Sequence, residues 1–173
     1  MASLAGVSSA SAGTFLLTQE GRPAATIVLA AAPSENARVA AAELQGYVRR
    51  MSSAELPIVT DAQAAGGRLV LVGASRLTEQ VPGLEIPSGL TRQLGEEGFV
   101  VQCRGDRLVL AGNDAGPYFG TRYAVVELLQ VAHKLDLLRA GYGVDVHKRH
   151  NADRFRDDGE WTLHGRAHEA PRD

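Results

Sequence analysis

Apolar and polar positions along this chain follow two rhythms, one of period two and one near 3.6, and the switches between them mark its elements. Phe15-Leu16-Leu17-Thr18 and Thr26-Ile27-Val28-Leu29 are short apolar runs on either side of the turn-forming Glu20-Gly21-Arg22-Pro23, and they predict two strands. After Pro33, the residues Ala37, Ala40, Ala41, Leu44, Tyr47, Val48 and Met51 recur at i, i+3, i+4 and i+7, with Arg38, Glu43, Arg49 and Arg50 largely off that stripe. This spacing predicts an amphipathic helix with Ser34 as its N-cap. Leu56-Pro57-Ile58-Val59-Thr60 predicts a short strand, which its proline assigns to an edge or a strand start. Arg68-Leu69-Val70-Leu71-Val72-Gly73 is apolar almost throughout, the pattern of a strand covered on both faces.

Residues 75–95 carry Pro82, Gly83, Pro87 and Gly89, and read as a long loop with a short helix at 89–94. Gly98-Phe99-Val100-Val101-Gln102-Cys103 and Arg107-Leu108-Val109-Leu110-Ala111 flank Arg104-Gly105-Asp106, a hairpin signal. Gly112-Asn113-Asp114-Ala115-Gly116 then leads into a second helix whose first turn accommodates Pro117. Ala124, Val125, Leu128, Leu129 and Ala132 give that helix a wide apolar face, and Phe119, Tyr123, Val126 and Gln130 lie along one side of it. The order is β-β-α-β-β-loop-β-β-α, and its natural solution is an α+β fold: a single mixed sheet with two main helices packed on one face.

Composition adds a seam to this picture. The 173 residues are 45% hydrophobic and 22% charged, enough for one domain with a real core. The net charge of −2 gives no electrostatic reason to expect nucleic acid or a membrane surface as partner, and no apolar run approaches the roughly 18 residues a transmembrane helix needs. Residues 1–132 contain no lysine and no histidine, whereas both lysines and all five histidines fall in residues 133–173. The chain therefore divides into a start (1–13), an Ala/Val/Leu/Gly-rich domain (14–132) and a polar, poorly ordered tail (133–173). The start has the small residues of a signal-peptidase site but lacks the basic and apolar regions of a signal peptide, leaving a disordered start or an export-signal remnant as its two readings.

Candidate chemistry is sparse. Val72-Gly73-Ala74-Ser75 has the strand and first glycine of a dinucleotide fold, but Arg76, Leu77, Thr78 and Glu79 stand where further glycines are needed. Gly112, Gly116 and Gly120 with Thr121-Arg122 resemble a phosphate loop one residue short and without its lysine, so the choice lies between an anion at a helix N-terminus and close helix packing. His147 and His150, and His164 and His168, have the spacing of metal ligands on a helix, but Gly165 stands where a zinc protease has its glutamate. Glu96-Glu97 are adjacent, so on a strand they diverge instead of forming an acid/base pair. Cys103, the single cysteine, alternates with Phe99 and Val101 on an inward face. No catalytic, cofactor-binding or metal-binding residue is assigned.

One segment carries a resemblance. Ala40-Ala41-Ala42-Glu43-Leu44-Gln45-Gly46-Tyr47, followed by Met51-Ser52-Ser53-Ala54-Glu55-Leu56-Pro57-Ile58, resembles the opening of the N-terminal domain of glycoside hydrolases of the α-glucuronidase (family 67) and β-N-acetylhexosaminidase (family 20) type. The likeness continues through Leu69–Ser75, Gly98–Val101, Leu108–Gly112 and Gly120–Leu129, in order, over residues 14–130, with Ser53 where the family usually has glycine. It implies a zincin-like, β-hexosaminidase domain-2-like α/β domain that precedes a catalytic (β/α)₈ barrel and itself carries no catalytic residue, metal or cofactor. The implied role is a non-catalytic accessory domain in carbohydrate metabolism, with a catalytic barrel domain or carbohydrate as partner, in a protein secreted or periplasmic, otherwise cytoplasmic.

The resemblance fails after Leu129, at the seam in composition. A shifted reading frame or early truncation that replaced the barrel would account for this; so would a free-standing glycan- or protein-binding module with a charged extension. Whether the chain is by itself an enzyme stays open on these residues.

Overall fold

Strand parity organises the molecule. The computed structural model of the chain describes residues 15–89, 98–134 and 161–165. A two-stranded hairpin pairs β1 (Thr18–Gln19) with β2 (Arg22–Pro23). The main sheet contains β3 (Ala25–Leu29), β4 (Ile58–Thr60), β5 (Arg68–Val72), β6 (Phe99–Arg104), β7 (Arg107–Gly112) and β8 (Trp161–Gly165), in the order β4-β3-β5-β7-β6-β8. The pairs among β4, β3, β5 and β7 are parallel, and β6 runs antiparallel to both β7 and β8. The sheet is mixed and the fold is α+β.

Alternate residues of these strands go to opposite layers, as the pleat requires. Ile27, Val70, Val72, Phe99, Val101, Cys103, Leu108 and Leu110 point to one face, where they meet α1 (Glu35–Ser52) through Ala40, Ala41, Leu44 and Val48, and α3 (Gly120–Lys134) through Ala124, Val125 and Leu128. Val28, Leu69, Leu71, Val100, Val109 and Ala111 point the other way, under Val81, Leu77, Leu84 and Ile86 of α2 (Arg76–Glu79) and the segment after it. Burial of β5 on both faces explains why its sequence is apolar without alternation. Each fully buried Leu or Val side chain here contributes roughly 1.5–3 kcal/mol.

α1 begins and ends as its sequence requires. Ser34 caps α1, its side chain accepting from the Ala37 N–H at 3.0 Å, and Arg49 and Arg50 lie in the last turn, where cations favour the helix dipole. At the other end Ser53 adopts a left-handed conformation (φ 62°), its N–H donating to the Arg49 carbonyl at 2.9 Å. This is the backbone state that makes glycine the usual residue after a helix.

Several boundaries differ from the sequence expectation. The turn between the first strands is only Glu20-Gly21, both at positive φ (50° and 72°), so Arg22-Pro23 pair as β2 instead of lying in the turn. Phe15 and Leu17 anchor in the core ahead of β1, which starts at Thr18. Within the stretch read as a long loop, Ser75 and Thr78 form a reciprocal capping box that nucleates the four-residue α2. The last helix begins at Gly120, so Pro117 sits in the turn before it and not in its first turn. Of the stretch 133–173, read as a tail, α3 includes the first two residues and Trp161–Gly165 form β8. Residues 1–13, most of the helix expected at 89–94, and Glu96-Glu97 lie outside the described residues. Among those described, no helix is long and apolar enough to cross a membrane.

Because Ser53 is exposed and left-handed, Ser53→Gly should stabilise the chain. Removing the Cβ conflict gains about 1–2 kcal/mol, and the added freedom of the unfolded glycine returns roughly half, leaving about 0.5–1 kcal/mol. A rise in the urea midpoint at unchanged slope would register it.

Candidate functional site

In sheets with parallel strands, ligands bind beyond the carboxyl ends of the strands, where helix N-termini converge. In this fold that place lies past β3, β5 and β7, and it gathers Ser34, Gly73, Ser75, Gly112, Asn113, Asp114, Gly120 and Thr121. The geometry there is built by chain reversals that begin with glycine. Gly73 has φ +77°, and a Cβ on it would stand 2.8 Å from the Ala37 Cβ, so the first turn of α1 rests against the end of β5. Gly112 and Gly120 approach more closely still. A Cβ on Gly120 would lie 2.2 Å from the Asn113 nitrogen, and one on Gly112 would lie 2.5 Å from the Gly120 carbonyl carbon. α3 thus starts in backbone contact with the end of β7, and the Gly120 N–H donates to the Asn113 carbonyl at 2.8 Å.

The polar groups that could receive a ligand are used within this knot. The Thr121 N–H, in the first turn of α3, donates to Asp114 Oδ1 at 3.0 Å. Ser34, while accepting from α1, donates its hydroxyl to Asp114 Oδ2 at 2.7 Å. One carboxylate therefore serves the N-terminal ends of both main helices, where negative charge is favoured by the helix dipoles. Thr121 Oγ1 accepts from the Gly112 N–H at 3.2 Å. Asn113 closes its own turn by accepting from the Ala115 N–H (3.1 Å), and its amide donates to the Gly89 carbonyl (2.6 Å). Asn36 reaches from α1 to the Tyr118 carbonyl (2.9 Å). The anion that a phosphate-loop reading would place here has its position taken by Asp114, and the glycines act through close packing. In the sequence Asp114 is only one residue of the Gly112–Gly116 run before a helix; nothing local pairs it with Ser34, 80 residues earlier in the chain.

The other sequence candidates do not meet. Gly73 is followed by the α2 cap, not by a pyrophosphate-binding turn. Cys103 is buried with Phe99 and Val101 in the helix-side core. His164 lies in the strand β8, not on a helix, while His147, His150 and His168 lie outside the described residues. Among the described residues no group of three or more His, Cys, Asp or Glu side chains could hold a metal ion. An open cleft of about 320 Å³ on the face opposite α1 and α3 is lined by Leu77, Gln80, Val81, Pro82, Arg104 and Arg107. Its guanidiniums bind the protein itself: Arg104 donates to the Pro82 carbonyl, and Arg107 to the Gly67 carbonyl (3.1 Å), beside an ion pair with Asp106 (2.8 Å).

The outer surface of the helix layer has a different character. α1 and α3 run side by side, joined by the Arg122–Glu43 ion pair at 2.8 Å. One turn on from each partner stand Tyr47 and Val126, 46% and 41% exposed; on the other side of the pair stands Phe119, 43% exposed. The Arg50 guanidinium lies 4.3 Å over the Tyr47 ring and that of Arg122 lies 5.9 Å from the Phe119 ring centroid. Apolar side chains so exposed form a strip across both helices.

The fold has a known counterpart. It is similar to part of a family GH115 4-O-methyl-α-glucuronidase, described as having specificity for decorated arabinogalactans, with a TM-score of 0.52 and 22% identity over 87% of this chain. A second structure, a GH138 enzyme targeting pectin rhamnogalacturonan II, matches 67% of this chain with a TM-score of 0.41 and 11% identity. The chain spans only 18% of the length of the first of these proteins and 14% of the second. No protein-family model and no curated protein sequence matches it. The fold is therefore one found within a glycoside hydrolase.

Two substitutions test the knot. Gly120→Ala forces a Cβ into backbone that cannot yield and should cost more than about 3 kcal/mol, whereas Gly46→Ala, whose Cβ meets only the Arg50 side chain at 3.9 Å inside α1, should stabilise by about 0.5–1 kcal/mol. Asp114→Ala removes an acceptor from both helix starts and should cost about 1–2 kcal/mol in chemical denaturation.

Proposed function

We propose that this chain is the accessory α/β domain of a glycoside hydrolase-like protein, of the α-glucuronidase rather than the β-N-acetylhexosaminidase type, and that it packs against a catalytic barrel instead of cleaving sugar itself. The observation that carries this reading is the fold shared with 18% of an α-glucuronidase, over 87% of this chain. The sequence resemblance to such N-terminal domains points the same way. So does the site past β3, β5 and β7, whose donors are turned inward onto Asp114.

The strip of Phe119, Tyr47 and Val126 is the surface this reading assigns to the catalytic domain. Tyrosine and arginine, paired here as Tyr47 and Arg50, are side chains that protein interfaces favour at their centres. Export to the periplasm or medium belongs to the same proposal.

The purified chain should release no nitrophenol from nitrophenyl glycosides, α-glucuronides included; turnover that disappears when the chain is unfolded would overturn the accessory role. Val126→Asp should leave the stability of the isolated chain within about 0.5 kcal/mol, because the residue is solvent-exposed. The same substitution should abolish co-sedimentation with a separately expressed α-glucuronidase barrel that binds the unaltered chain. Binding unaffected by Val126→Asp would remove the strip from the interface.

A further inference from the structure

With β8 set aside, the outermost strands of the main sheet are β4 and β6, and the two are built differently. β4 has the features of a protected edge: it is three residues long, it follows Pro57, and the side chain of Gln63 folds back so that its Oε1 accepts from the Thr60 N–H at 3.2 Å and the Thr60 hydroxyl at 3.1 Å. β6 has none of them. It is six residues long, contains no proline, and buries Phe99, Val100, Val101 and Cys103, with residues of both faces in apolar layers. That is the composition of an interior strand, and an interior strand needs a neighbour on each side.

Hydrogen-bond parity says which groups wait for that neighbour. The Asn113 N–H donates to the Gly98 carbonyl at 2.9 Å, and bonded pairs recur at every second residue of an antiparallel ladder. Val100, Gln102 and Arg104 thus exchange bonds with β7, and the backbone groups of Phe99, Val101 and Cys103 face the opposite edge. β8 lies there in register, with Cys103 opposite Trp161, Val101 opposite Leu163 and Phe99 opposite Gly165. Trp161 and Leu163 share register positions with Cys103 and Val101, which belong to the helix-side core.

We propose that the β6 edge is a strand-acceptor site, that its occupant is this chain's own Trp161–Gly165, and that this occupancy closes the edge to a second copy of the chain. The segment after α3 is then a strand donor that completes the sheet. A row of unpaired donors and acceptors on an apolar, unprotected strand is a template for pairing with another copy, which the intramolecular strand forestalls.

The test uses the full-length chain and the parity of the ladder. Leu163→Pro deletes an N–H aimed at Val101, whereas Thr162→Pro deletes one aimed away from β6. In Leu163→Pro, amide exchange at Phe99, Val101 and Cys103 should rise at least tenfold while Val100 and Gln102, bonded to β7, keep their protection, and sedimentation should show self-association. Thr162→Pro should match the unaltered chain in both measurements. A synthetic peptide of residues 158–168, added to Leu163→Pro, should restore protection and the monomer.

Equal effects of the two prolines would overturn the assignment of register. In the unaltered chain, exchange at Val101 as fast as in an unstructured peptide would overturn the proposal without any variant. A wild-type dimer with Val101 protected would overturn the intramolecular occupancy in favour of exchange between copies.

Discussion

The backbone of α3 lies against the backbone of β7 at Gly112 and Gly120, with no room for a single carbon atom between them. This contact fixes where the second helix begins, and the helix layer follows from it. Starting at Gly120 directs Ala124, Val125 and Leu128 onto Val101, Leu108 and Leu110 and brings Arg122 level with Glu43 of α1. The Asp114 carboxylate then lies within reach of both helix starts. Two glycines eight residues apart, one ending β7 and one opening α3, thus set the position of the helix layer, and a methyl group at either would displace the helix instead of perturbing one contact.

The same contact explains why the most promising ligand position in such a sheet holds none of the chemistry that glycines at a helix start suggest. Phosphate loops use glycine so that a ligand can approach the backbone; here the backbone approaches itself. The helix dipoles still attract negative charge, but the charge comes from Asp114 and is shared through Ser34. The end of the sheet past β3, β5 and β7 is thereby a structural element that ties the two helix starts together.

What the sequence discloses and what it hides divide along range. The α1 stripe, the Ser34 cap, the two-faced burial of β5 and the inward alternation of Phe99, Val101 and Cys103 are readable because each is a local period imposed by one surface. The hidden features are short or long-range. α2 is a single turn whose Ser75–Thr78 capping box outweighs four residues of pattern, and Glu20-Gly21 compress a turn that composition spreads over Pro23. Trp161–Gly165 lie in a polar stretch whose average conceals five residues in phase with β6. The Ser34–Asp114 bond has no local signal, and no apolar pattern indicates the left-handed conformation of Ser53.

The span of the ties between the helices also bears on how the chain acquires its shape. Ser34 with Asp114, and Glu43 with Arg122, join positions 80 and 79 residues apart, and β3, β5 and β7, which the two helices follow and cover, pair in parallel. None of these ties can form until most of the polypeptide is available. α1 can appear early as a fluctuating helix, but its apolar stripe has no complete surface to cover until β5 and β7 align beside β3. Contacts so distant along the chain slow the search for the native arrangement. During synthesis, the first half would therefore leave the ribosome with α1 still uncovered, and folding would wait on the segment that carries Gly112, Asp114 and Gly120.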